Sequence, residues 1–236
     1  MNRYSTYGDS VVLPATAMVA TPNNLSSVEA AACWMQYLTA YMLIEFAGMK
    51  AGDDVLITVA ASSVGLAAIQ VAKAVGARPI ATTHNQNKVQ PLLDAGAESV
   101  INTKEGKLVD EVMRFTKGKG ANNIFDPVVG PQLAELCEAA AQDANIFAYG
   151  ALSAEPSPLP LLVGIQKCLT FRTYALFIIT TQPERLARAR RWVLDGLTQG
   201  KLKPVIAKMF PFRQMAEAHH FMESNEQIGK IVVTVP

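Results

Sequence analysis

The sequence predicts an α/β protein built on a doubly wound, mostly parallel sheet of six strands. Three observations carry this. From about residue 54, short β-branched runs alternate with helix-length segments. The runs lack the in/out alternation of a half-exposed strand, as expected where helices cover both faces. The helical segments close on glycines, Gly76 and Gly96, where helix carboxy-termini belong.

Each element follows from its own residues. VLITVA (residues 55–60) is the first strand, and VGLAAIQVAKAVGA is apolar nearly all round, so it is a buried helix. PIATT is the second strand. The helix after it contains KVQPLLDA, in which Pro91 is tolerable only in the first turn. SVIN is the third strand, KLVDEVMRFTK a charged amphipathic helix and NIFDPVV the fourth strand. PQLAELCEAAA and NIFAYG add a helix and a fifth strand, and LTFRTYALFII (169–179) supplies the sixth. Strands alternating with helices imply right-handed crossovers, and six of them fit the doubly wound dinucleotide-binding architecture.

The two ends differ in character. Residues 1–26 hold one strand-like run, SVVLPATAMVA, and a Pro-Asn-Asn turn. Residues 27–48 read as one long helix, capped at Ser26-Ser27 with Glu29 nearby. QPERLARARRWVLDGLTQG and MAEAHHFMESN are two further helices, and the chain finishes on the strand KIVVTV.

Composition excludes several functions. The 236 residues are 50% hydrophobic, enough to bury a sizeable core. A net charge of +1, from 21 basic and 20 acidic residues without a basic block, argues against nucleic acid as a partner. Cys33, Cys137 and Cys168 are too far apart for a C-x-x-C site and odd in number, so they read as buried thiols of a reducing cytoplasm. No apolar run reaches the length of a membrane span, since Lys167 and Arg172 interrupt the most hydrophobic stretch. The amino-terminus lacks the apolar region of a signal peptide, so a cytoplasmic protein is expected. No metal site assembles: His219 and His220 are neighbours, pointing about 100° apart on a helix, unlike the i, i+4 pair of a zinc helix. A G-x-S-x-G elbow is also absent.

The stretch VLITVAASSVG raises the central question. A dinucleotide turn reads G-x-G-x-x-G, and the same offsets carry Ala60, Ser62 and Gly65. Ser62 and Ser63 are small hydroxyl donors suited to a phosphate, and the following helix aims its positive end at the turn. An ordinary strand–turn–helix fits the motif equally well. The end of the second strand adds more. Between Arg78 and Leu93 there is no acid to hold a ribose 2′-hydroxyl, but there are Thr82, Thr83, His84, Asn85 and Lys88. Uncharged donors with a lysine suit a 2′-phosphate, so NADP fits better than NAD.

Several stretches, in order along the chain, are AAACWMQYLTAY, GDDVLITVAASSVGLAAIQVAKAVGA, DAGAESVIN, GKGANNIFDPVVG, FAYGALS, GKLKPVIAKMFPF and EAHHFMESNEQIGKIVVTV. Together they resemble the medium-chain dehydrogenase/reductase superfamily, in particular its quinone-oxidoreductase-like, zinc-type alcohol dehydrogenase-like branch. The resemblance runs essentially end to end and implies a Rossmann domain. It makes the serine-rich turn a phosphate loop. It also implies that most of an amino-terminal GroES-like catalytic domain is missing. Residues 1–26 would be its remnant, 27–180 the dinucleotide-binding domain with its leading helix, and 181–236 a segment returning to the catalytic domain. Zinc ligands of related enzymes lie in the absent part, so no zinc is expected.

Residue by residue, the resemblance places Thr39 and Tyr41 near the nicotinamide and Ala60, Ser62, Ser63, Val64 and Gly65 at the pyrophosphate. It places Thr83, His84 and Lys88 at the 2′-phosphate, although His84 departs from the serine often found there. Val129, Gly130, Tyr149, Gly150 and Ala151 surround the nicotinamide ribose and ring. Tyr41 as a helix-packing residue, and Asp126-Pro127 as a plain strand end, stay open as alternatives. The implied activity is NADPH-dependent hydride transfer to a quinone or activated enone, with no identifiable proton donor. The alternative is an inactive NADP(H)-binding module; a methyltransferase is disfavoured by the missing acid. The implied assembly is a homodimer through strand 169–179, with Phe171, Tyr174 and Phe177 at the interface.

Overall fold

The structure is a computed structural model that describes residue 8 and residues 10–235. In chain order the elements are α1 (Ser27–Ala31), α2 (Trp34–Ala40), α3 (Met42–Glu45), β1 (Asp54–Ile57), α4 (Ser63–Val75) and β2 (Arg78–Thr83). There follow α5 (Val89–Asp94), β3 (Ser99–Asn102), α6 (Leu108–Phe115), β4 (Ala121–Asp126), α7 (Leu133–Ala139) and β5 (Ala140–Ala148). The chain ends with α8 (Leu161–Gln166), β6 (Thr170–Thr173), α9 (Phe177–Thr180), α10 (Pro183–Thr198), β7 (Ile206–Pro211), α11 (Met215–Glu223) and β8 (Lys230–Thr234).

Six strands pair in parallel in the order β3-β2-β1-β4-β5-β6, the doubly wound order expected for this architecture. Successive side chains of a strand point to opposite faces, so each strand feeds two cores. Val55, Ile57, Phe125 and Phe147 join α2, α4 and α10 on one side. Leu56, Ile80, Ile124 and Ile146 join α6 and α7 on the other. Burial on both faces is why the strands read as continuous apolar runs.

Local signals hold where they are chemical. Ser26 accepts from the Glu29 amide while the Glu29 carboxylate accepts from the Ser26 amide, a complete capping box. Gly76 ends α4 in the left-handed conformation at φ 82°.

Several expectations are corrected. Residues 27–48 form three short helices rather than one, with breaks at residues 32–33 and at Tyr41. The run at 10–20 forms no strand but a single 3₁₀ turn at Ala15–Ala17. Pro14 removes a ladder donor there, and Val12 is 90% exposed, so neither pairing nor burial holds it extended. Residues 1–7 and 9 of that region lie outside the described residues. The sixth strand covers Thr170–Thr173, not 169–179; the chain then turns into α9, which contains Phe177. The Tyr174 hydroxyl turns inward to the Leu38 and Thr39 carbonyls, at 3.4 and 3.3 Å. Cys168 is exposed, unlike Cys33 and Cys137. β8 pairs in parallel with β7, a strand the patterning did not anticipate. Among the described residues, no helix is long and apolar enough to cross a membrane.

Candidate functional site

The order β3-β2-β1-β4 reverses direction of winding between β1 and β4, which opens a crevice beyond their carboxyl ends. The turn leaving β1 forms one wall. Ser62 caps α4, its hydroxyl accepting from the Gly65 amide at 3.0 Å. The 13-residue helix thus presents its unpaired first-turn N–H groups and positive dipole end to the turn. Gly65 is required sterically, since a Cβ there would lie 2.6 Å from the Ala60 Cα and carbonyl oxygen. Val59 sits at φ 49°, a strained conformation for a β-branched residue.

A cleft of about 370 Å³ runs from this turn across the end of β2. Thr58, Val59, Ala61 and Ser62 line one side, and Thr83, His84 and Lys88 another. The Asn85 amide donates to the Thr83 hydroxyl at 3.2 Å, and His84 Nδ1 lies 2.6 Å from the Thr103 hydroxyl. Lys88 Nζ donates to the carbonyls of Asn225 and Gln227, at 2.6 and 3.1 Å. Desolvation lowers the Lys88 pKa, and Glu226 partly opposes it.

A second cleft of about 720 Å³ lies over the ends of β5 and β6. Val129, Tyr149, Gly150 and Ala151 line it together with Arg172 and Tyr174. Its shape depends on Asp126, whose carboxylate accepts from the Thr58 hydroxyl and, at 2.6 Å, from the Val129 amide. Val129 is thereby held at φ 56°. The Gly130 amide donates to the Ser157 hydroxyl at 2.7 Å. A Cβ on Gly150 would fall 2.8 Å from the Pro127 carbonyl. The Tyr149 ring stacks on Phe125, centroids 4.0 Å apart. Its hydroxyl is buried without a hydrogen bond of ordinary geometry. Burial, with the Asp126 charge second, raises its pKa; Ser62 lies close enough to lower it only in part.

The expected residues therefore divide. Ser62, Thr83, His84 and Lys88 meet in the first cleft, and Val129, Tyr149, Gly150 and Ala151 in the second. Ala60, Val64, Gly65 and Gly130 shape the turns from behind. Ser63 lines a small recess with Gln36 and Tyr37. Tyr41 is brought to neither cleft: its ring packs tilted against Trp192 and its hydroxyl donates to Glu45 at 3.2 Å. Thr39 donates to the Met35 carbonyl at 2.7 Å and reaches the second cleft only through Tyr174. Asn225, Gln227 and Arg172 were not anticipated, because distant segments bring them in and no motif marks them.

Residues 63–194 match the family described as zinc-binding dehydrogenase. A quinone oxidoreductase-like protein 2 homolog from Nematostella vectensis is 28% identical over 95% of this chain and 62% of its own length. A solved NAD-dependent alcohol dehydrogenase is 33% identical with a TM-score of 0.88, over 98% of this chain and 65% of that one. Escherichia coli quinone oxidoreductase, solved with NADPH, is 28% identical with a TM-score of 0.83, over 92% of this chain and 68% of that one. The chain thus spans under two thirds of the length of the first two.

Proposed function

Because this chain belongs to the zinc-binding dehydrogenase family, within the medium-chain dehydrogenase/reductase superfamily, we propose that it is an NADPH-dependent oxidoreductase that reduces a quinone or an activated enone. The observation that carries this reading is the switch-point crevice, with a helix amino-terminus on one wall and no carboxylate at the end of β2. A further feature fits a dinucleotide: the turn admits backbone closely only because residue 65 is glycine.

When bound, the nicotinamide supplies the hydride. The chain's part is to place and shield it. The α4 amino-terminus with Ser62 would hold the pyrophosphate, on a turn shaped by Ala60, Val64 and Gly65, while Ser63 faces the recess beside Gln36 and Tyr37. Thr83, His84 and Lys88 surround the 2′-phosphate. An ammonium has three N–H donors; two of Lys88's are engaged with carbonyls, leaving one for the phosphate. Val129, Gly130, Tyr149, Gly150 and Ala151 border the nicotinamide and its ribose, with Thr39 supporting through Tyr174 and Tyr41 through the helix packing. Among the described residues, no three His, Cys, Asp or Glu side chains converge as a metal site.

The likeness to quinone oxidoreductases supports the acceptor class. Steady-state oxidation of NADPH in the presence of a small quinone tests it. Oxidation that depends on the protein is the expected result. NADPH binding without oxidation would instead make the chain a binding module.

A further inference from the structure

The charged and titratable side chains lining the first cleft are Lys88 and His84, with no carboxylate among them. Lys104 and Glu105, both exposed, follow Thr103 in the loop beyond β3, and Glu226 acts on Lys88 from the opposite wall. The His84 ring itself pairs with a hydroxyl, that of Thr103.

The end of β3 builds Thr103 into that position. Its amide donates to the Thr83 carbonyl at 2.9 Å, one step beyond the last paired residues of β2 and β3, Thr83 and Asn102. The Thr103 hydroxyl lies 2.6 Å from His84 Nδ1 and 3.4 Å from the Thr83 carbonyl. Nε2 of His84 is left without a partner among the described residues, on an exposed side chain that lines the cleft. A hydroxyl both donates and accepts, so Thr103 suits either state of the ring. It donates to Nδ1 of a neutral imidazole. It accepts from Nδ1–H of an imidazolium, its own proton then turning to the Thr83 carbonyl.

We propose that Thr103 is a positioning residue that presents Nε2 of His84 to the cofactor 2′-phosphate, and that NADPH therefore binds with uptake of a proton by the His84 ring. This rests on the reading of the cleft as the nucleotide site. A dianionic phosphate favours the charged imidazole through Coulomb attraction and a charge-assisted N–H···O bond. Lys88 repels an imidazolium in the empty cleft, and an arriving phosphate offsets that repulsion. NADH carries a hydroxyl at this place and draws no proton. The sign follows. This part of the NADPH affinity is full below the range in which imidazole ordinarily titrates, about pH 5 to 8, and is lost as pH rises through it. The second ionisation of the phosphate itself, near pH 6 for a monoester, works the other way, because a cationic site releases that proton.

The test is calorimetric titration of the full chain near pH 7, in two buffers of different ionisation enthalpy, which counts the protons exchanged on binding. The unmodified chain should take up a fraction of a proton with NADPH and none with NADH. Its NADPH affinity should fall about 3- to 10-fold between about pH 6.5 and 8, the gap between a charge-assisted and a neutral hydrogen bond, while NADH affinity stays level. His84→Gln should abolish the uptake. Thr103→Val should also abolish it, with NADH affinity unchanged, and Thr103→Ser, which keeps the hydroxyl, should restore it. Thr103→Ala serves in place of the valine variant should that one fail to fold. NADPH binding without proton uptake, or uptake that survives His84→Gln, overturns the inference and leaves the nucleotide site standing. Uptake undiminished in the variants without the hydroxyl overturns the positioning role of Thr103. An unmodified chain that binds neither cofactor removes the site and this inference together.

Discussion

Thr58, just beyond β1, donates its hydroxyl to the carboxylate of Asp126 at the end of β4, across the point where the sheet reverses its winding. Both residues are almost fully buried, at 1% exposure each. The second carboxylate oxygen takes the Val129 amide and so fixes the turn that enters the second cleft. One side chain thus ties together the two walls of the proposed cofactor site. Asp126→Ala leaves a buried hydroxyl and a half-buried amide without their acceptor, and should cost about 2–4 kcal/mol of stability. Asp126→Asn keeps one acceptor and should cost less. Urea denaturation of the two variants measures this, and equal stability for all three proteins would refute the role.

Gly65 offers a second test. A methyl group there meets the Ala60 backbone at 2.6 Å, which cannot rotate away as a side chain could. Gly65→Ala should destabilise by about 1–3 kcal/mol, the usual cost of overpacking. It should also push the turn into the first cleft, lowering NADPH affinity tenfold or more, about 1.4 kcal/mol. A variant with wild-type melting and wild-type binding would show that the turn does not approach α4 as described.

The outer edge of β6 should join two copies of the chain. β6 ends the sheet, and Leu162, Ile165 and Phe177 around it are about 70% exposed, at 70%, 73% and 69%. An uncovered edge with an apolar surround invites a second strand, and a two-fold arrangement makes the same patch serve both partners. Sedimentation at micromolar concentration should show a dimer, and Leu162→Asp combined with Ile165→Asp should yield monomers. Tyr174, turned inward, should be neutral to assembly. A wild-type monomer would contradict this.

The sheet was legible in the sequence because burial on both faces leaves a simple mark, an apolar run bounded by Gly76, Gly96 and similar stops. The break at Tyr41 was not, because residues 27–48 are mostly apolar and hydrophobic pattern cannot report where backbone bonding lapses. The length of β6 was misjudged for a related reason: LTFRTYALFII suits a strand locally, but Tyr174 is drawn inward to the Leu38 and Thr39 carbonyls. In the site, Ser62 and Lys88 could be read from motif spacing. The bond between Thr58 and Asp126, 68 residues apart, and the approach of Gln227 to Lys88, 139 apart, exist only once the fold is closed.

The central claim, a nucleotide site that prefers NADPH, is tested most directly by titrating the chain and its Lys88→Ala variant with NADPH and NADH. The wild type should bind NADPH more tightly. Lys88→Ala should weaken NADPH by up to about 1.5–3 kcal/mol, the range of a charge-assisted hydrogen bond, and NADH by much less. Equal losses for the two cofactors, or no binding of NADPH by the unmodified chain, would contradict the account.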